Sequence, residues 1–256
     1  MGTEKKLSGL KAIVTGSAQG IGEVIAKLFA NEGASVAIAD VNLPGAKRVA
    51  SEIEASGGSA FAIKVDVTQS QEVAKMVEEV LGRWNAIDIL VNNAGGFYQF
   101  APIGAITEDE WDQVITLNLK SVFLCSKAVA NHMKERQKGR IISIASKAGV
   151  HPNWASPSYL PYGTAKGGVI VFTKYLASEL AASGVTVNAI SPNTARTPRL
   201  EKLRGEEGLK RVAETNPMRH LVEPKDVAEA ALFLASEAGR YITGINLNVN
   251  AGSVML

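Results

Sequence analysis

Seven strand-length runs rich in β-branched and apolar residues recur along this chain, each separated from the next by a stretch with helical features. That alternation limits the possible fold more than any other feature. The runs are Lys11–Thr15, Ser35–Asp40, Ala60–Val65, Ile87–Asn92, Arg140–Ile144, Thr186–Ile190 and Asn246–Val249. Several are continuously apolar, such as "AIVT", "VAIA" and "IDILV". Strands covered on both faces look like this, as in a parallel sheet between helical layers. Helical windows fill the gaps at Ile21–Asn31, Gly45–Ala55, Ser70–Leu81, Glu108–Asn131, Pro161–Ala182 and Glu223–Ala235, with Gly33 as a stop signal after the first. Repeated β-α-β units with right-handed crossovers predict an α/β fold: a doubly wound parallel sheet flanked by helices on both faces, one domain over residues 1–256. The stretch 193–221 has no clear strand signal and carries many charges, with room for a short helix. It follows a strand, where such folds bind ligands, so it is a candidate lid.

The net charge of +2 gives no electrostatic case for nucleic acid or an anionic membrane surface. No run is long enough to span a membrane. The opening "MGTEKKLSGLK" lacks the apolar core of a secretory signal, which predicts a cytoplasmic protein. The single cysteine, Cys125, lies in an apolar stretch and is expected to be a small buried side chain. The histidines at 132, 151 and 220 have no metal-ligand spacing, so no metal is expected.

The stretch "TGSAQGIG", residues 15–22, joins the first strand to the first helix. Gly16, Gly20 and Gly22 suit a tight turn whose backbone approaches a pyrophosphate at a helix N-terminus. Ser17, Gln19 and Ile21 are the other candidate contacts in that turn. Asp40 ends the second strand, where a carboxylate can accept the ribose hydroxyls of a dinucleotide and repel a 2′-phosphate. No Lys or Arg stands at Ser17, Ala18, Gln19, Val41 or Asn42. These residues predict NAD(H) rather than NADP(H) as cofactor. A turn cap is the competing account of Asp40.

"YLPYGTAK", residues 159–166, offers two tyrosines to one lysine. Tyr162 is four residues before Lys166, one turn away on the same helix face. Pro161 suits a first helical turn, which leaves Tyr159 in the preceding loop. Alone, Tyr162 and Lys166 could be an ordinary pair on an amphipathic helix.

Taken together, "TGSAQGIG", "NNAG" at 92–95, Asp66 in "DVT", Asn118 in "LNLK", Ser146 in "IASKAG", "YGTAK", "VNAISP" and "YITGINLNV" resemble the short-chain dehydrogenase/reductases, in the family's order and over nearly the whole chain. The resemblance implies a Rossmann-like fold and interconversion of a secondary alcohol and a ketone by hydride transfer to or from nicotinamide. It makes Tyr162 the general acid/base, helped by Lys166 because a phenol ordinarily loses its proton only near pH ~10. Ser146 would bind the substrate oxygen, and Asn118 would hold a water that links Lys166 to solvent. Asp66 and Val67 would meet the adenine, and Asn92, Ala94 and Gly95 would lie beside the adenosine ribose and support the sheet. Pro192, Asn193, Ala195 and Thr197 would border the nicotinamide side.

The chain departs from the family pattern in places. Ser146 precedes Tyr162 by 16 residues, where 13 is common, so an insertion within "HPNWASPSYLP" is expected to reshape the substrate pocket. Asn193 replaces the usual glycine after the proline. Candidate pocket residues are Phe97, Tyr98, His151, Asn153, Trp154, Tyr159, Arg196 and Arg199. Ordinary packing of the aromatics and a solvated lid for the arginines is the account their residue types favour. A sharper expectation is that Arg196 or Arg199 pairs with an anionic substrate group.

The resemblance also admits a 3-oxoacyl-carrier-protein reductase. Arg136 and Lys138 could supply one side of a carrier-protein docking site, whereas Ser183 stands where a second basic residue is expected. Asp40 and Ser183 argue against that alternative. Apolar residues on more than one face of the windows at 108–131 and 161–182 match helices that pair between subunits in this family. A homo-oligomer, first a homotetramer, is expected.

Overall fold

The computed structural model describes residues 5–96, 100–152 and 160–255. Its seven strands are β1 Lys11–Thr15, β2 Ser35–Asp40, β3 Ser59–Lys64, β4 Ile89–Asn92, β5 Gly139–Ile144, β6 Val185–Pro192 and β7 Asn246–Val249. All pair in parallel in the order β3-β2-β1-β4-β5-β6-β7. The chain winds outward from β1 in one direction and from β4 in the other. The crevice between β1 and β4 is therefore the topological switch point, where ligands bind in such sheets.

The helices are α1 Gly20–Asn31, α2 Leu43–Ala55, α3 Ser70–Trp84, α4 Glu108–Ile115, α5 Ser121–Glu135, α6 Leu160–Leu180, α7 Pro198–Thr215 and α8 Pro224–Ala235. Alternate residues of one strand serve two cores. In β1, Ala12 and Val14 join the layer of α1 and α8, while Ile13 joins the layer of α3, α5 and α6. Burial on both faces explains why β1 reads as an unbroken apolar run. Cys125 is buried in the second layer, and burial pushes its thiol up to about 12. No helix among the described residues is long and apolar enough to cross a membrane.

Two segments differ from the sequence expectation. The window at 108–131 is not one regular helix: α4 and α5 are joined by a π turn at Thr116–Lys120. The stretch 193–221 holds α7, two short helical pieces that meet at a break at Gly205, where one short helix was expected; the Thr197 hydroxyl caps the first. Its many charges hid its helical period, since only Leu209 is fully buried in it.

Candidate active site

A cleft of about 390 Å³ opens over the carboxyl ends of the central strands, a size suited to a small-molecule site. Its first wall is the β1–α1 turn. Gly16 has φ +63°, and a Cβ there would stand 2.8 Å from the Ala94 Cα, so the turn lies directly on the loop after β4. Gly22 does not line the cleft; a Cβ there would run into the Gly16 carbonyl and the Asn93 amide. It closes the helix onto its own turn. Ser17 is buried, donates to the Val14 carbonyl at 2.6 Å and also stays out of the cleft. Gly16, Gln19, Gly20 and Ile21 line it.

Asp40 lines the cleft from the end of β2. Its carboxylate accepts from the Ala18 N–H at 3.0 Å and the Asn42 N–H at 2.9 Å, bracing the glycine turn while leaving acceptor capacity. Asp40 thus caps the turn and also faces the cleft. Arg48 of α2 comes to the turn through space and donates to the Ala18 carbonyl at 3.0 Å. Its guanidinium is already held by Glu23 at 2.7 Å and Glu52 at 2.8 Å. Sequence position gave no sign of this arginine. Asp66 and Val67 line the cleft next to Asp40, with Asp66 fixed by the Thr68 N–H and hydroxyl at 2.9 and 2.7 Å.

At the loop after β4 one expectation divides: Asn92 supports the sheet but leaves the cleft to its neighbour. Asn92 does not face the cleft; it is buried in the sheet and donates to the Ser126 and Ser143 hydroxyls at 3.1 and 3.3 Å. Strand alternation turns the next residue, Asn93, toward the cleft. Asn93 donates to the Thr15 and Gly16 carbonyls, each at 2.9 Å. The Thr15 hydroxyl accepts from the Asn93 and Ala94 N–H groups at 3.0 and 3.1 Å. The side-chain parity of β4 was the signal that could have singled out Asn93. Ala94 and Gly95 line the cleft.

The reactive end is built on α6. Tyr162 and Lys166 lie one turn apart and line the cleft together with Ser146. The turn carrying Ser146 lies close on α6: a Cβ at Gly163 would stand 3.0 Å from the Ala148 carbonyl oxygen. The Ser146 Oγ accepts from the Ala148 N–H at 3.1 Å, which leaves its own proton to donate. Lys166 is 3% exposed, and its ammonium donates to the Ile144 carbonyl at 2.7 Å. Burial pushes its pKa down to about 8. The same ammonium lies 5.7 Å from the Tyr162 ring centroid.

Asn118 is fully buried in the π turn, behind Gly95 and Gly96. It accepts from the Gly96 N–H at 2.9 Å and donates to the Gly96 and Val114 carbonyls at 2.7 and 2.9 Å. In a regular α-helix the Val114 carbonyl would be reserved for Asn118's own N–H. A Cβ at Gly95 would meet Asn118 Oδ1 at 2.7 Å and Lys166 Nζ at 3.2 Å, so these two side chains face one another across that residue.

Pro192, Asn193, Ala195 and Thr197 line the far wall. The two lid arginines part company. Arg199 lines the cleft, whereas Arg196 does not. Arg196 turns to Glu206 at 3.0 Å, with Glu201 and Glu223 at 3.7 Å, which removes it from the substrate expectation. His151 is exposed, contacts the Pro152 carbonyl oxygen at 2.8 Å and does not line the cleft. Phe97, Tyr98, Asn153, Trp154 and Tyr159 lie outside the described residues, as does most of the expected insertion.

The residues fit a nicotinamide dinucleotide. The glycine turn at a helix N-terminus offers backbone N–H groups to a pyrophosphate, two carboxylates stand at the ends of β2 and β3, and the polar trio of Ser146, Tyr162 and Lys166 closes the opposite end.

A family model described as enoyl-(acyl carrier protein) reductase matches residues 16–253. The chain is 40% identical to a 3-oxoacyl-[acyl-carrier-protein] reductase of Synechocystis, over 97% of this chain and 98% of that protein. A 3-ketoacyl-(acyl-carrier-protein) reductase of Brucella melitensis complexed with NADH superimposes with a TM-score of 0.89 at 35% identity, covering 97% of this chain and 100% of that one. A 7α-hydroxysteroid dehydrogenase complexed with NADH and 7-oxo glycochenodeoxycholic acid superimposes with a TM-score of 0.93 at 33% identity, covering 100% and 99%.

Proposed function

The chain belongs to the short-chain dehydrogenase/reductase family, oxidoreductases acting on CH–OH groups, and from that premise we propose that it interconverts a secondary alcohol and a ketone with NAD(H). The observation that carries the reading is the pairing of Tyr162 with a buried, carbonyl-anchored Lys166 beside Ser146 in one cleft. A bound nicotinamide supplies or takes up the hydride at the carbinol carbon. Tyr162 holds the proton that leaves or joins the substrate oxygen. The Lys166 charge, close to its ring, favours the phenolate. Ser146 donates its hydroxyl proton to the same substrate oxygen and orients it. Asn118 orders the loop above Lys166; the water-holding role implied by the family belongs to this proposal too.

NAD(H) is favoured over NADP(H) because Asp40 faces the cleft and Arg48, the near cation, is held by two carboxylates. We further propose one catalytic unit with 193–221 as its lid, working in the cytoplasm as a homotetramer. Phe123 on α5 and Val171 and Tyr175 on α6, from 43% to 77% exposed, support a helix-paired assembly.

The relatives support a second reading, a 3-oxoacyl-carrier-protein reductase. Against it, Ser183 is uncharged and only 6% exposed where a second basic residue is expected, and Arg136 is bound to Asp88 at 3.0 Å. The test is initial-rate reduction of NAD and NADP with secondary alcohols, hydroxy acids, sugar alcohols and 3-hydroxyacyl thioesters, with Tyr162→Phe in parallel. Turnover with NAD that falls about 10²- to 10⁴-fold in the variant, with NADH affinity unchanged, supports the first reading. Turnover of thioesters alone, with NADP, would favour the second. Binding of NADH without any turnover would overturn both.

A further inference from the structure

The charged side chains lining the cleft are segregated. Asp40 and Asp66 stand at the ends of β2 and β3, while Lys166 and Arg199 stand at the other end; no other charged residue among the described ones lines it. Arg199 sits in the first turn of α7, directly after the cleft-lining Thr197 and Pro198. Its guanidinium lies against Gly96, at the point where a Cβ would project. The preceding glycine, Gly95, has the Lys166 ammonium 3.2 Å from the corresponding point. Consecutive residues, about 3.8 Å apart along the chain, thus carry the ammonium beside Tyr162 and the guanidinium of the lid.

The seat of Arg199 is well fixed. Gly96 is clamped through both its N–H and its carbonyl by Asn118. Five residues further along α7, the Arg204 guanidinium lies 5.9 Å from the Phe100 ring centroid, so this part of the lid rests on the loop after β4 at two points. The lid's other cleft-side arginine candidate, Arg196, is neutralised by carboxylates on its outer side. Of the two arginines, Arg199 is the one that lines the cleft.

We propose that Arg199 is a specificity determinant that selects a carboxylate-bearing substrate, a hydroxy acid or the matching oxo acid. This rests on the dehydrogenase reading and adds the substrate class. A guanidinium presents parallel N–H donors that match a carboxylate bidentately, and the carbinol carbon would then lie between Arg199 and the Tyr162–Ser146 pair. The bound cofactor's diphosphate is the rival anion for Arg199, and the test separates the two.

Initial rates with NAD are compared for hydroxy acids and their neutral methyl esters, in the wild type, Arg199→Ala and Arg199→Lys. Binding of oxo acids to the NADH-loaded protein is followed in parallel by the shift in melting temperature. The expected result is a wild-type preference for the acid. Arg199→Ala should lower kcat/KM for the acid about 10- to 100-fold and leave the ester within about threefold. It should also abolish the oxo-acid shift and leave the NADH Kd unchanged. Arg199→Lys should restore part of the preference. Equal losses for acid and ester, or a raised NADH Kd with an unchanged acid-to-ester ratio, would overturn the proposal and assign Arg199 to the lid or the diphosphate. If neither substrate turns over, the dehydrogenase reading fails, yet the oxo-acid shift and its loss in Arg199→Ala still decide what Arg199 binds.

Discussion

The Lys166 ammonium donates to the carbonyl of Ile144, the last residue of β5, at 2.7 Å, tying the first turns of α6 to the carboxyl end of the strand from which Ser146 follows. Burial lowers its pKa from 10.5 to about 8. The unfolded chain therefore holds this proton more tightly than the folded one. Between about pH 8 and 10.5 the unfolded state binds more protons, and stability rises with pH in that window. In denaturant unfolding without cofactor, the wild type should gain about 3 kcal/mol relative to Lys166→Met across it. A pH-independent difference between the two proteins would contradict this.

Asn118→Ala removes three hydrogen bonds from a fully buried position and strands both polar groups of Gly96. A loss of about 2–4 kcal/mol is expected by urea unfolding. Because the loop carrying Gly95 and Gly96 borders Lys166 and Arg199, kcat should fall as well, and more than in Asn118→Asp, which can still accept from the Gly96 N–H.

Gly22→Ala drives a methyl group into the Gly16 carbonyl and the Asn93 amide. Overpacking of this kind costs about 1–3 kcal/mol, and here it also opens the turn offered to the pyrophosphate. NADH titration should show at least a roughly tenfold weaker Kd. Unchanged binding would mean that the turn is not the pyrophosphate seat.

Asp40→Ala takes away both the acceptor for the ribose and the charge that opposes a 2′-phosphate. The ratio of kcat/KM for NADP to that for NAD should rise about 10- to 100-fold, since like-charge contacts cost a few kcal/mol. Some stability should go too, because the carboxylate caps the Ala18 and Asn42 N–H groups.

Tyr175 is 77% exposed, one turn from the 53% exposed Val171 on α6. Tyr175→Glu should break a helix-paired tetramer into smaller species by light scattering, with the far-ultraviolet circular dichroism unchanged. A wild type that is already monomeric would remove the assembly proposal.

The sequence by itself determined the sheet. β1 and β2 fall on the residues their apolar runs marked, β7 falls on the residues expected though its sequence alternates polar and apolar, and the other strands shift by one or two. Both-face burial writes itself into such runs, because every side chain must be apolar. The Tyr162–Lys166 pair and the glycine turn were equally legible, since one turn of helix or one tight turn fixes their geometry locally.

What only the tertiary structure decided depends on contacts between residues far apart in the chain. Arg48 meets the glycine turn 30 residues away, and Asn118 meets Gly96 across 22. The parting of Arg196 from Arg199 turned on where α7 lands. A side chain's type and spacing state what it can bond to. Which partner it finds is set by the packing of whole elements, and no local window of the sequence contains that information.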